Sequence, residues 1–238
     1  MGGSTTVLTF GTPELALRLA GLGHGVRWAG GCGSAGPADA SGTGWPGGGG
    51  ARCGCAGTCS AYADGGGVLA YELVRGFAAD PPGLLHLTVP GPEQGPGARA
   101  AAELALRLAG EHSVLVCLEA VRRPDPWARD ETARLLRGWL PRVDALVTTD
   151  AGLRLCAPGS ADPVAELRAL GVGEVLVGRD GPAVRGDLVL YDDEGAVHRG
   201  AGALSVPGYL AALLAGAPAA TRLARAGAGP AAAGPAAA

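Results

Sequence analysis

The stretch GAGALSVPGYLAALL, residues 200–214, decides the fold, because a turn of small residues, a helix start and a place for an anion coincide in it. Gly200, Ala201 and Gly202 are small enough to let backbone N–H groups approach a ligand. Tyr209 to Leu214 reads as a buried helix whose unpaired N-terminal donors face that turn. Such a turn can hold a phosphate. With 43 glycines in 238 residues, the same sequence also fits a tight connection that binds nothing.

Outward from this stretch, toward the N-terminus, strands and helices alternate. Val7–Phe10 is a short apolar strand. A helix follows from Thr12 and Pro13 to Leu22, with proline in its first turn and Gly23 as its stop, and Gly25–Trp28 is the next strand. Order returns at Leu69–Val74 and again at Leu84–Thr88. The helix Gly97–Ala109 leads into strand Val114–Leu118, and the helix Trp127–Leu140 leads into strand Asp144–Thr149. Asp162 and Pro163 cap a helix to Leu170, which precedes strand Glu174–Gly178. Leu188–Tyr191 and Gly195–His198 form a hairpin that delivers the chain to Gly200. This βαβ rhythm implies a mainly parallel sheet with helices on its faces, a three-layer α/β sandwich.

The opening stretch resembles the C-terminal signature of the ribokinase-like (PfkB) carbohydrate kinases, in which a GAGD turn opens a helix. Gly200, Ala201 and Gly202 match it, as do Gly208 to Leu214, while the aspartate that serves those kinases as general base falls on Ala203. A methyl group cannot accept a proton. Pro207 suits only the first turn of a helix and biases Val206 away from helical geometry, which predicts a helix starting about one turn late. LAGLGHGVRWAGGCG, residues 19–33, resembles a segment of the 2-keto-3-deoxygluconate kinases of the same family. Their sugar-binding GGxxN motif places its glycine on Gly11 and its asparagine on Glu14. The first strand runs almost directly into this helix, which implies that the family's β-lid is reduced or missing.

Further segments follow the family in order. YELVRGFAADPPGLLHLTVPG, residues 71–91, is similar to a stretch that closes over the substrate. CLEAVRRPDPW, residues 117–127, corresponds to a DxNxR segment with Cys117 and Glu119 at the Asp and Asn positions, and Arg122 or Arg123 supplies the arginine. A carboxylate there is the wrong charge for a sugar acid; the arginines fit a solvated helix approach equally well. In DALVTTDAGLRL, residues 144–155, only Asp150 stands where the family organises Mg²⁺, so no metal ligand is assigned. EVLVGRDGPAVRGD, residues 174–187, resembles the nucleotide-side segment, with Arg179 beside the position of its lysine. The resemblance implies ATP and Mg²⁺ as cofactors and a sugar or sugar acid such as 2-keto-3-deoxygluconate as partner. Loss at the base, metal, nucleotide and sugar positions together implies impaired or absent phosphotransfer, the alternative being an inactive pseudokinase that binds a sugar, a nucleotide or a protein.

Composition bounds the remaining classes. A formal charge of −3 without a basic run argues against nucleic acid as partner, and no stretch approaches the ~18 apolar residues of a membrane span. The sequence has no Lys, Asn or Ile, as a GC-rich genome produces, and the missing lysine removes P-loop and Schiff-base chemistry. The N-terminus lacks a basic, apolar leader, so a cytoplasmic protein is expected. Residues 1–225 are expected to form the α/β domain, with a Gly- and Cys-rich loop at about 30–67, followed by a disordered Ala/Gly/Pro tail at 226–238. Cys32, Cys53, Cys55 and Cys59 in that loop match no common zinc or cluster spacing and are expected to be free thiols.

Overall fold

LLHLT at 84–88 and ALVTT at 145–149 have almost no polar alternation, as strands buried on both faces require. The computed structural model describes residues 6–10, 13–29, 67–89, 96–121, 129–179 and 186–228. They build one sheet from β1 (Thr6–Phe10), β2 (Gly25–Ala29), β3 (Leu84–Thr88), β4 (Leu115–Ala120), β5 (Ala145–Thr149), β6 (Glu174–Gly178), β7 (Gly186–Tyr191) and β8 (Val197–Gly202). The spatial order is β2-β1-β3-β4-β5-β6-β7-β8. Strands β1 to β6 are parallel and β7 is antiparallel, so β8, antiparallel to β7, points the same way as β1 to β6. The expected mainly parallel α/β sandwich is what the chain forms.

Among the described residues eight α-helices flank the sheet: α1 (Pro13–Gly21), α2 (Gly67–Ala79), α3 (Pro96–Glu111), α4 (Arg129–Trp139), α5 (Asp150–Cys156), α6 (Pro163–Ala169), α7 (Val206–Leu214) and α8 (Ala219–Gly227). The pleat sends successive side chains to opposite faces, which splits the core in two. Leu85, Leu87, Leu146, Val175 and Val177 pack against α2 to α6 with Phe77, Leu106 and Trp139. Leu84, Ala145, Val147 and Leu176 pack against α1, α7 and α8 with Leu19, Tyr209 and Leu223. Trp139 is core, as expected, whereas Trp127 lies outside the described residues. The order β2-β1-β3 accounts for the split. Right-handed crossovers to the two sides of β1 must leave their helices on opposite faces.

Only residues 11 and 12 separate β1 from α1, too few for any lid strand at that point. The Cys-rich loop falls outside the described residues. Two elements depart from the sequence reading. Residues Asp150–Cys156 form a helix, with the Thr149 side chain accepting from Gly152 N–H. Helix α8 carries order through Gly227, two residues into the tail expected at 226–238, because Leu223 and Ala226 bury themselves against the sheet.

Two polar ties hold the C-terminal third. Glu174 at the start of β6 is buried; it accepts from the Tyr209 hydroxyl at 2.5 Å and from Arg222 Nε at 3.2 Å, and a second Arg222 nitrogen binds its other oxygen. Burial pushes the Tyr209 phenol well above its usual range. In the β7–β8 turn the Asp192 carboxylate accepts from Ala196 N–H and meets His198 Nε2, both at 2.7 Å.

Candidate functional site

In open parallel sheets, ligands bind beyond the carboxyl ends of the strands, at the point where neighbouring strands send their connections to opposite faces. Here that point lies between β1 and β3. Helix α1 leaves β1 toward one face, and α3 leaves β3 toward the other. Because β8 points the same way as β1 to β6, its junction with α7 opens at the same edge, and α1 and α7 pack against each other on one face.

Three polar side chains cross the floor of this crevice on the α1/α7 face, one on each of three adjacent strands. Thr9 Oγ1 and His86 Nδ1 share a hydrogen bond of 2.9 Å, and His86 Nε2 lies 3.2 Å from Glu119 Oε2. The strand register imposes this line, since Thr9 pairs with His86, and Glu119 pairs with Thr88, two residues beyond His86 on the same face of β3. Thr9 and His86 are fully buried, and the Glu119 side chain keeps 14% of its surface exposed. The 3.2 Å contact is an ion-pair distance without hydrogen-bond alignment, so buried His86 Nε2 is left without a hydrogen-bond partner. When Thr9 donates to Nδ1, the ring hydrogen sits on Nε2. A nearly satisfied network with one orphaned nitrogen is costly in a core and typical of a site. Thr9 and His86 are missing from the sequence reading. The signal for His86 is its place as the one titratable residue in an otherwise apolar strand.

The β8–α7 junction differs from the expected anion turn. Gly200, Ala201 and Gly202 are strand residues paired with Leu188, Asp187 and Gly186, so their backbone belongs to the sheet ladder. The connection is Ala203 to Ser205, and α7 starts at Val206, with Pro207 in its first turn. Ala203 is exposed. The helix is already capped, because Gly208 N–H reaches Ser205 Oγ at 3.4 Å and Ser205 N–H donates to the Ala226 carbonyl of α8 at 2.8 Å. The glycines serve that docking. A Cβ on Gly202, whose φ is +149°, would stand 2.1 Å from the Gly227 carbonyl, and a Cβ on Gly208 would stand 2.4 Å from that of Arg225. The C-terminal carbonyls of α8 thus occupy the positive end of α7, where an anion was expected to sit.

The remaining predicted residues divide. Arg179 follows β6 at this edge, exposed, and its backbone N–H donates to the Asp187 carbonyl at 2.8 Å. Asp187 pairs in turn with Ala201, which places Arg179 two strand spacings, ~10 Å, from the small-residue segment. Gly11 and Arg122 lie outside the described residues, and of Glu14 only the backbone, in the first turn of α1, is described. Asp150 begins α5 at the same edge. Among the described residues no three His, Cys, Asp or Glu side chains group as metal ligands. Cys117 and Cys156 are free and buried. Burial pushes the Cys117 thiol well above its usual range, with Glu119 adding to the effect, and pushes Cys156 up to about 12. Neither is a thiolate ligand or nucleophile.

Solved structures carry the same architecture. The chain matches a PfkB protein from Polaromonas sp. JS666 with TM-score 0.67 at 16% identity, covering 94% of each chain. It matches an ADP complex of Bacillus subtilis pyridoxal kinase with TM-score 0.61 at 14% identity, over 94% of this chain and 89% of that one. With 2-dehydro-3-deoxygluconokinase from Thermotoga maritima the TM-score is 0.53 at 16% identity, over 62% of this chain and only 53% of that one. No protein-family model matches the chain, and no curated protein matches it. The fold is ribokinase-like, and no helix among the described residues is long and apolar enough to cross a membrane.

Proposed function

We propose that the chain is a PfkB-type carbohydrate kinase by ancestry, once directed at ATP-dependent phosphorylation of a sugar or sugar acid, which has lost phosphotransfer and keeps the carboxyl-edge crevice as a small-molecule site. The observation that carries this reading is the β8–α7 junction. A phosphoryl transfer enzyme of this design needs a proton acceptor and free backbone donors at one point. At that point stands the Ala203 methyl group, and the Ser205 and Gly208 N–H groups are already bonded within the chain. Arg179 at the same edge supports a remaining nucleotide role, and an ADP complex exists for a protein of the same fold. ATP and Mg²⁺ are the cofactors that this ancestry implies.

The test is an ATP-dependent phosphorylation assay on 2-keto-3-deoxygluconate and a panel of simple sugars, with wild type and Ala203→Asp. Neither is expected to turn over. Loss of a general base alone costs about 10²–10⁴ in rate, so if that were the sole defect the single change would recover most of it. Recovery by Ala203→Asp would show that the donors at the junction are free in solution, and turnover by wild type would end the proposal.

A further inference from the structure

We infer that Glu119, held by the Thr9–His86 pair, makes the crevice selective for neutral polyhydroxyl or amine-bearing ligands and excludes sugar acids. This rests on the reading of the carboxyl edge as a small-molecule site. Beside the switch point, among the described residues, the floor offers the Glu119 carboxylate of β4 and the His86 imidazole of β3 next to it. One Glu119 oxygen faces His86, and among the described residues the other meets no donor. Its side chain is 14% exposed on the penultimate residue of β4, at the edge where ligands enter. His86 is fully buried, and its unpartnered Nε2 lies beside that carboxylate.

A ligand that meets the partly exposed Glu119 carboxylate must therefore donate hydrogen bonds to an acceptor-only group. Hydroxyl and ammonium groups do so; a ligand carboxylate brings a second acceptor of like charge. Among the described residues no arginine side chain pairs with Glu119, the adjacent Thr88 is uncharged, and Cys117 on the same strand face is a neutral buried thiol. Burial near the crevice floor strengthens the discrimination, because like charges in a partly desolvated site repel more than in water.

The experiment compares ligands of one skeleton and three charges. D-glucose, D-gluconate and D-glucosamine, with D-ribose and D-ribonate as a smaller pair, are titrated into the full-length protein by saturation-transfer NMR, and ADP is titrated separately. Wild type is expected to bind a neutral or amino sugar at least about tenfold more tightly than the matching acid, and Glu119→Gln, which keeps the shape and removes the charge, to shrink that ratio severalfold. An acid bound as tightly as its neutral partner would overturn the inference, as would a ratio unchanged in Glu119→Gln when circular dichroism shows the variant folded. Binding of ADP without any sugar would remove the crevice assignment and leave the kinase ancestry standing. Absence of both would remove the functional reading as well.

Discussion

At the β8–α7–α8 corner the Ser205 N–H bonds to Ala226, the Gly208 N–H bonds to Ser205, and Gly202 lets the Gly227 carbonyl approach where no side chain would fit. At the floor of the β1–β3 crevice, on the same edge of the same sheet, a fully buried imidazole nitrogen has no hydrogen bond and a carboxylate stays partly exposed. The first region bonds the Ser205 and Gly208 N–H groups within the chain and seats the end of α8 against the start of α7. The second leaves polar groups unsatisfied at a cost to stability, which is how binding sites differ from packing sites. The glycines that look most like a ligand site are therefore packing residues, and the residues left for a ligand come from a strand that reads as core.

Substitutions separate the two regions by their energetic cost. The largest effect is expected for Gly202→Ala, whose new methyl group meets a backbone carbonyl at 2.1 Å in a left-handed conformation, and which should lower the unfolding free energy by about 3 kcal/mol or more. Gly200→Ala is the control two residues earlier. The nearest atoms to its methyl group belong to the Leu223 side chain, at 3.2 Å, which can shift, so about 1 kcal/mol or less is expected. Urea unfolding of both variants reads the difference, and equal costs would mean that the seat of α8 is not what the glycine preserves. On the crevice side, Thr9→Val combined with His86→Leu removes the orphaned Nε2 together with the hydroxyl bonded to Nδ1 of the same ring. The unfolding free energy should change by no more than about 1 kcal/mol in either direction. A loss above about 2 kcal/mol would place the pair among the structural ties and blur the contrast.

The strand–helix alternation was legible because apolar runs such as ALVTT and EVLVG are uninterrupted and carry proline or glycine at their borders. The junction was misread for a physical reason. Small residues at 200–202 fit a phosphate turn and a close-packed strand equally well. The partner that decides between them, α8, is an alanine-rich helix whose fully buried side chains are Leu223 and Ala226. Glu119 was visible as a misfit charge. Thr9 and His86 were not, since their meaning depends on a register between β1 and β3 across 77 residues, and no local pattern encodes that pairing.

The β7–β8 turn also gives the protein a response to acid. The hydrogen bond from His198, followed by the Ala196 N–H, holds the Asp192 carboxyl below the usual carboxylate range. A carboxyl lowered in the folded state contributes stability that is fully present above its ordinary value and is lost as pH falls through the folded one. Acidification therefore loosens the hairpin that presents β8 to α8. Between about pH 5 and about pH 3 the urea midpoint of wild type should fall more steeply than that of Asp192→Asn, and parallel curves would exclude the turn as the origin. Mild acid would in this way work on the corner that is held most tightly at neutral pH, through the turn that presents its strand.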